Sequence, residues 1–338
     1  MISKRKVHYP VSDSLRGYLR HYSRETDFPT IYEDLRRFSG AVPYEDPKGN
    51  ETLWHTVMFS HQEMQELRPK LAHIYLQLKA AGDVAHGTHL DVDRIDFGDF
   101  GNSQPFRIRI KNKYNDNFDH YYVKRADASR VYGLELEHIL TPNRISYLVN
   151  GNTLIEEHIA GLPGDRFVRD YLPRPGINRV RIAKEFVKFN QRCFVRLLGD
   201  MRAVNYVVDI TPDFEETQYR VRPIDFDRQA YDGPIEVYLA QYYDCNKRVV
   251  ELVESELNPE TIHQYKIEER TLIRRRTRIA AERLKRVLEV MRDEYIAPDE
   301  NFEQLRDGLA EYHQNLSAFA TAATVGDLVA IHLDLMIA

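Results

Sequence analysis

Apolar residues recur with two different periods along this 338-residue chain, and the places where the period changes divide it. Up to about residue 85 the spacing is helical. SDSLRGYLRHYS opens on Ser and Asp and then sets apolar residues three and four apart. SHQEMQELRPKLAHIYLQLKAAGD repeats the pattern and closes on Gly82, a residue favoured just past a last helical turn. GAVPYEDPKGNE between them has loop chemistry. From about 88 the period falls to two. HLDVDRIDF, FRIRIKN and HYYVKRA read as strands joined by FGDFGNSQ and KYNDNFD, an antiparallel meander.

ASRVYGLELEHIL returns to helical spacing, and ISYLVN with TLIEEHI forms a hairpin about Gly151-Asn152. Beyond AGLPGDR, the stretch VRIAKEFVKFNQRCFVRLL is helical. YVVDI and QYRVRPIDF are strands joined by TPDFEET, and everything from about 235 reads as helix, including one long helix over about 266–295. These elements predict an α+β chain in three parts: a helical N-terminal extension (1–87), an antiparallel-sheet domain (88–160) and a mainly helical domain (161–338).

Composition narrows the partners. With 43% hydrophobic and 29% charged residues the chain can bury a core, which excludes disordered and fibrous classes. A net charge of -5 lacks the basic footprint of a nucleic-acid binder. Cys193 and Cys245 make no disulfide framework and suit a reducing compartment. MISKRKVHYPVSD has no signal-peptide run, and the apolar tail AFATAATVGDLVAIHLDLMIA is interrupted by Asp327 and Asp334, as in a packed helix rather than a membrane span. The expectation is a soluble, cytoplasmic protein that binds neither nucleic acid nor membrane. RTLIRRRTR is read as a solvated helix face.

Four features then fall in an order that phosphoryl transfer requires. Gly98 and Gly101 lie between two strands, where a turn lets backbone N–H groups approach a phosphate. Lys124 lies on an apolar strand and needs a partner. On the following helix, Glu135 projects onto the face of Val131, Leu134 and His138, and Glu137 points away from it. An ion pair between Lys124 and Glu135 would aim the ammonium at phosphates. LLGDMRAVNYVVD supplies Asp200 as a carboxylate for an acceptor's proton, Asn205 as a neutral oxygen ligand, and Arg202 either to neutralise transferring charge or to pair with a structural acid. Asp225 in PIDFDRQ ends the partner strand, beside Asn205, and Asp227 follows it.

This order of glycine turn, VKRA lysine, helical Glu, hairpin, GDMRAVN and IDFD resembles the protein-kinase-like superfamily. The form of IDFD is most similar to aminoglycoside phosphotransferases and choline kinases. The resemblance implies a bilobal fold, with a small antiparallel-sheet N-lobe, a helical C-lobe and the N-terminal extension added. It implies ATP and Mg²⁺ as cofactors, Lys124 on the phosphates with Glu135 orienting it, and Asp200 as base. Asn205, Asp225 and Asp227 would be placed at the metals. TLIEEHIAG would join the lobes, its backbone around Glu157 and Ile159 reading the adenine. The acceptor is a hydroxyl of a small molecule or protein, and the N-terminal extension is a candidate protein-binding surface. Leu198 stands where the family usually has His, two residues before the catalytic Asp. A catalytically impaired pseudokinase, serving as a nucleotide-binding scaffold, is therefore the alternative.

Three further features carry bland readings. HGTHLDVD sets His86, His89, Asp91 and Asp93 in metal-like order, with a polar strand edge favoured. Cys193 is expected as a packed thiol and Trp54 as a core anchor.

Overall fold

In this computed structural model, residues 6–46, 48–80, 89–214 and 216–338 are described. Their contacts divide the chain into two compact units, one running through Ala128 and adding Ile145–His158, the other made of Ser129–Arg144 and Ile159–Ala338.

The first unit is built on a seven-stranded sheet ordered β1-β2-β3-β4-β5-β7-β6. Its strands are β1 (Gly40–Glu45), β2 (Glu51–Met58), β3 (Leu90–Gly98), β4 (Phe106–Asn112), β5 (Phe118–Arg125), β6 (Tyr147–Asn150) and β7 (Thr153–Glu157), all antiparallel neighbours. The meander and the 147–157 hairpin form as the alternation predicts. Helix α1 (Asp13–His21) is capped by Ser12, and a short α2 (Tyr32–Leu35) follows. Helix α3 (His61–Ala80) starts on Ser60, whose hydroxyl accepts from the Glu63 N–H while the Glu63 carboxylate accepts from the Ser60 N–H. Its Leu67, Leu71, Ile74 and Leu78, at helical spacing, bury against Val92, Ile95, Ile108 and Tyr121 of the sheet. Gly82, the expected cap of this helix, lies outside the described residues.

Three expectations change here. GAVPYEDPKGNE is largely strand, because β1 and β2 pair with Gly40 opposite Met58 and β2 continues onto β3 with Trp54 opposite Gly98. The alternation was missing because β1 is an exposed edge on which Val42 faces water. Residues before 88 therefore share one sheet with those after, and no domain boundary falls at 87/88. Trp54 is half-buried on the sheet face opposite α3, against Phe100, Tyr122 and the Arg107 guanidinium, so it does not anchor the core.

The second unit holds α4 (Ala128–Leu140, from Ser129 onward), which the sequence reading placed with the first. It also holds a three-stranded sheet ordered β10-β9-β8, from β8 (Leu162–Pro163), β9 (Tyr206–Thr211) and β10 (Gln218–Pro223). A short α5 (Gly164–Arg166) precedes α6 (Arg179–Val195), capped by Asn178. After short 3₁₀ turns between 235 and 246 come α7 (Lys247–Glu256), α8 (Pro259–Ile279), α9 (Ala281–Arg292), α10 (Asp299–Tyr312), α11 (Leu316–Phe319) and α12 (Val325–Ile337). The single helix expected over 266–295 is two: α8 starts earlier, on the Asn258 cap with Pro259 in its first turn, and stops at Ala280. Among the described residues no helix is long and apolar enough to cross a membrane.

Helix α12 is tied to α6 by a buried histidine. His332 Nε2 lies 3.0 Å from the Phe194 carbonyl oxygen and must donate to it, which leaves Nδ1 to accept from His313 Nε2 at 2.9 Å. Burial, with His313 and Arg270 nearby, pulls the His332 pKa down to about 3. The unfolded chain takes up this proton near pH 6.5 and the folded one does not until about pH 3. Stability is thus complete above about 6.5 and falls, by up to about 1.4 kcal/mol per pH unit, as the pH drops towards 3. We expect His332→Gln to lower stability at pH 7.5 and to flatten this acid loss. Urea denaturation of both proteins between pH 7.5 and 4.5 checks it, and parallel slopes would contradict it.

Candidate active site

Helix α6 delivers its last residues into a tight turn. Leu197, with φ +56°, donates its N–H to Phe194, and the Leu198 N–H bonds back to Cys193. Gly199 then donates to the Arg228 carbonyl and Ala230 to that of Leu197, so the chain before Asp200 is stitched to the segment after β10. Asp200 itself has φ +58°, a left-handed conformation that Asp tolerates better than most residues but that still costs about 1 kcal/mol. Its N–H reaches Val237 O and the Tyr243 hydroxyl.

From below, the loop is carried by a fully buried carboxamide. Asn246 donates to the Met201 and Ala240 carbonyls at 2.9 and 2.8 Å and accepts from the Tyr206 hydroxyl at 2.9 Å. Gly164 is needed here, because a Cβ on it would come within 2.3 Å of the Tyr206 ring and 2.4 Å of the Ala203 carbonyl oxygen.

The Asp200 carboxylate is engaged on both oxygens. Arg202 binds it through Nε at 2.6 Å and Nη2 at 2.9 Å, a bidentate pair. Burial opposes the Arg202 charge, but its hydrogen bond to Asp200 and that carboxylate's charge raise the guanidinium pKa above its ordinary value. Of the two roles expected for Arg202, the pairing with an acid is the one seen. Asn205 Nδ2 donates to the Asp200 backbone oxygen at 2.7 Å and to Oδ2 at 3.2 Å. The β9–β10 register, with Pro223 opposite Tyr206, and a bond from the Ile224 N–H to Asn205 O at 2.9 Å set Asp225 beside Asn205. Asp200, Arg202, Asn205, Asp225 and Asp227 therefore lie in one loop cluster of the second unit.

The sequence reading missed the residue that organises the acids. Arg130, with a side chain only 2% exposed, places Nη1 at 2.8 Å from Asp225 Oδ1 and 2.9 Å from Asp227 Oδ1. The Asp227 N–H adds a bond to Asp225 Oδ1 at 3.2 Å. Ser129 donates to the backbone oxygens of Asp227 and Gln229, and Gly133 lets α4 run against Phe226, where a Cβ would meet atoms at 3.0 Å. A signal existed: an arginine in the first turn of a helix whose next residues, Val131 and Tyr132, are apolar needs an acid to justify its burial.

Glu135 and Glu137 are both buried, against the expectation that Glu137 points away. Glu135 pairs with Arg283 at 2.5 Å. Glu137 pairs with the buried Arg196 and accepts from Thr141 and Asn143.

In the first unit, Lys124 Nζ lies 2.6 Å from Glu156 Oε2, a nearly buried pair that the sequence did not suggest. Lys124 and Glu135 belong to different units, and each has this partner within its own. The glycine turn lies next to the lysine's strand. Gly98 N bonds to Pro105 O, Gly101 has φ +69°, and Arg125 N reaches Ser103 O. Glu157 accepts from the Ser146 N–H at 2.8 Å and pairs with Lys79, whereas Ile159 is buried in the second unit.

The metal-like order near residue 90 resolves into ordinary pairs. Asp91 meets Arg68 and Lys113, Asp93 meets Arg109, and His89 stacks on Tyr114. His86 lies outside the described residues. Cys193 is buried, and burial pushes its thiol up to about 11.

Among the described residues no group of three His, Cys, Asp or Glu side chains could hold a metal ion by itself. The residues do fit Mg²⁺ accompanied by phosphates, since that ion is usually held by one or two protein oxygens and keeps the rest from substrate and water. With Asn205 Nδ2 committed to Asp200, the opposite side of the carboxamide, Oδ1, is turned away from that carboxylate. The Asp225 side chain beside it is 34% exposed.

No protein-family model matches the chain, and no curated protein matches it at a significant level.

Removing Arg130 would leave two carboxylates facing each other without their guanidinium. We expect Arg130→Met to cost about 3 kcal/mol, near the low end for breaking such a pair because Asp225 is partly exposed. A cycle with Asp227→Asn should recover at least about 1 kcal/mol of this. Denaturant titration measures both, and additive losses would contradict the assignment.

Proposed function

We propose that the chain is a kinase-like phosphotransferase that moves the γ-phosphate of ATP to an acceptor hydroxyl with Mg²⁺. The observation that carries this reading is the cluster of Asp200, Asn205 and Asp225 on adjoining loops, with Arg130 behind the acid pair. Phosphoryl transfer asks little covalent chemistry of a protein. It needs a carboxylate at the acceptor hydroxyl, oxygen ligands for a hard cation and fixed geometry between them.

In this reading Asp200 takes the hydroxyl proton as the acceptor oxygen bonds to phosphorus and the bridging P–O bond of ATP breaks. For that, one of the bonds from Arg202 or Asn205 must yield an oxygen, and Arg202 then remains as a cation beside the reacting groups. Asn205 Oδ1 and Asp225 would hold the metal, which neutralises phosphate charge, and Arg130 keeps Asp225 and Asp227 in place. The first unit supports the nucleotide part of the reading separately, through a glycine turn beside a strand whose Lys124 ammonium is nearly buried. The bilobal kinase-like fold and the assignment of Glu157 and Ile159 to adenine belong to the same proposal.

A second reading, a nucleotide-binding module without turnover, is favoured by Leu198, which is fully buried and supplies no imidazole next to Asp200. Both readings require nucleotide binding, and they separate on turnover. By calorimetry we expect ATP to bind in a Mg²⁺-dependent manner, and Asp225→Asn to weaken binding at least about tenfold, the loss of one charged metal ligand. No binding by the wild type would overturn both readings. Binding that is equal with and without Mg²⁺ would overturn the metal assignment.

A further inference from the structure

The backbone of Asp200 is held on both sides of the residue, and the two sides are held differently. Its carbonyl oxygen is bound from within the loop, by the Arg202 N–H at 2.8 Å and by Asn205 Nδ2 at 2.7 Å. Its N–H is bound from outside the loop, by the run of short 3₁₀ turns between 235 and 246. The nitrogen lies 3.2 Å from the Val237 carbonyl oxygen and 3.1 Å from the Tyr243 hydroxyl. Tyr243 donates its own hydroxyl proton to Val237 O at 2.9 Å. Asp200 N–H, Tyr243 O–H and Val237 C=O thus close a ring in which each polar atom is paired.

The hydroxyl is the part of this ring that no other group present supplies. Both contacts of the Asp200 N–H are near the long limit for such bonds, so neither alone holds it firmly. A hydroxyl accepts from one group while donating to another, whereas an ammonium or guanidinium only donates. Burial raises the Tyr243 pKa, and the charges of Asp200 and Asp232 add to this, so the hydroxyl keeps its proton and stays a donor. Tyr243 is itself fixed from the segment that supports the loop. The Asn246 N–H donates to Tyr243 O at 2.8 Å, and the Asn246 side chain donates to Met201 O.

Asp200 needs such support. A non-glycine residue at φ +58° keeps that conformation only where its surroundings over-determine it, and its carboxylate moves if the backbone relaxes. Leu198, two residues earlier, is fully buried and has no polar side-chain atom to offer.

We propose that Tyr243 is a positioning residue of the phosphotransfer site: its hydroxyl, shared between the Asp200 N–H and the Val237 carbonyl, locks the Asp200 backbone so that the carboxylate is set for the acceptor hydroxyl. The role rests on the phosphotransfer reading, in which Asp200 takes the acceptor's proton, whereas the hydrogen-bonded ring does not.

Tyr243→Phe removes one oxygen and keeps the ring of the side chain, and Tyr242→Phe, at a neighbour that is 59% exposed, serves as the control. Two measurements are made on the full chain. In steady-state kinetics Tyr243→Phe should lower kcat about tenfold, while the KM and calorimetric Kd for Mg²⁺-ATP stay within about twofold, because the nucleotide and metal ligands are untouched. In NMR amide exchange the Asp200 N–H should exchange about tenfold faster, with the amides of β9 unchanged. Tyr242→Phe should alter neither. Full kcat in Tyr243→Phe overturns the proposal, and so does unchanged exchange at Asp200. Loss of ATP affinity together with kcat, or faster exchange throughout β9, also overturns it, in favour of a general structural role. A wild type without turnover on any acceptor would end the phosphotransfer reading, and exchange at Asp200 then decides by itself whether Tyr243 holds that residue.

Discussion

A buried guanidinium between two carboxylates is the constraint on which the candidate site depends. Arg130, buried in the first turn of α4, is matched by the carboxylates of Asp225 and Asp227, and its guanidinium in turn offsets the repulsion of two acids set two residues apart on one turn. Each side accounts for the other. The consequence reaches further, because the segment carrying the acids is also bonded to Leu197 and Gly199, immediately before Asp200. Holding Asp225 and Asp227 against α4 therefore also fixes where the Asp200 loop begins.

The same segment shows how charge is managed around Asp200. Its carboxylate is not left open but is matched by a bidentate arginine and a carboxamide, and the backbone there adopts a left-handed conformation. Stored strain and paired charge at one residue are common where geometry matters more than stability. Asn246, Gly164 and the end of α6 hold the loop from three sides, so the strain is supported by parts of the chain with no chemistry of their own.

Much of this was legible in the sequence where periodicity was strong. The meander from residue 90 to 125 and the hairpin at Gly151 followed from alternation, and the pairing of 206–211 with 218–223 from two apolar runs about a turn. The first hairpin was not, because an edge strand exposed on both faces has no alternation to read. The break at Ala280 was hidden by a charged stretch with helical propensity on both sides of it. The cluster of Asp200, Asn205 and Asp225 could be placed because register across one short hairpin determines it. Arg130 was visible as an arginine that would need an acid, but its partners could not be named, because they lie about a hundred residues away and long-range ion pairs leave no local pattern. Glu137 shows the limit of helical projection, since a face that points away from one set of neighbours was buried against another, Arg196.

The most direct test of the phosphotransfer account is ³¹P NMR of Mg²⁺-ATP incubated with the protein and a panel of hydroxyl-bearing acceptors, for the wild type and for Asp200→Asn. The account predicts that the wild type converts the γ-phosphate signal to a new phosphate ester. It also predicts that the variant does so at least about 100-fold more slowly, the usual contribution of a positioned base. Equal rates in the two proteins, or no ester with either, would contradict it.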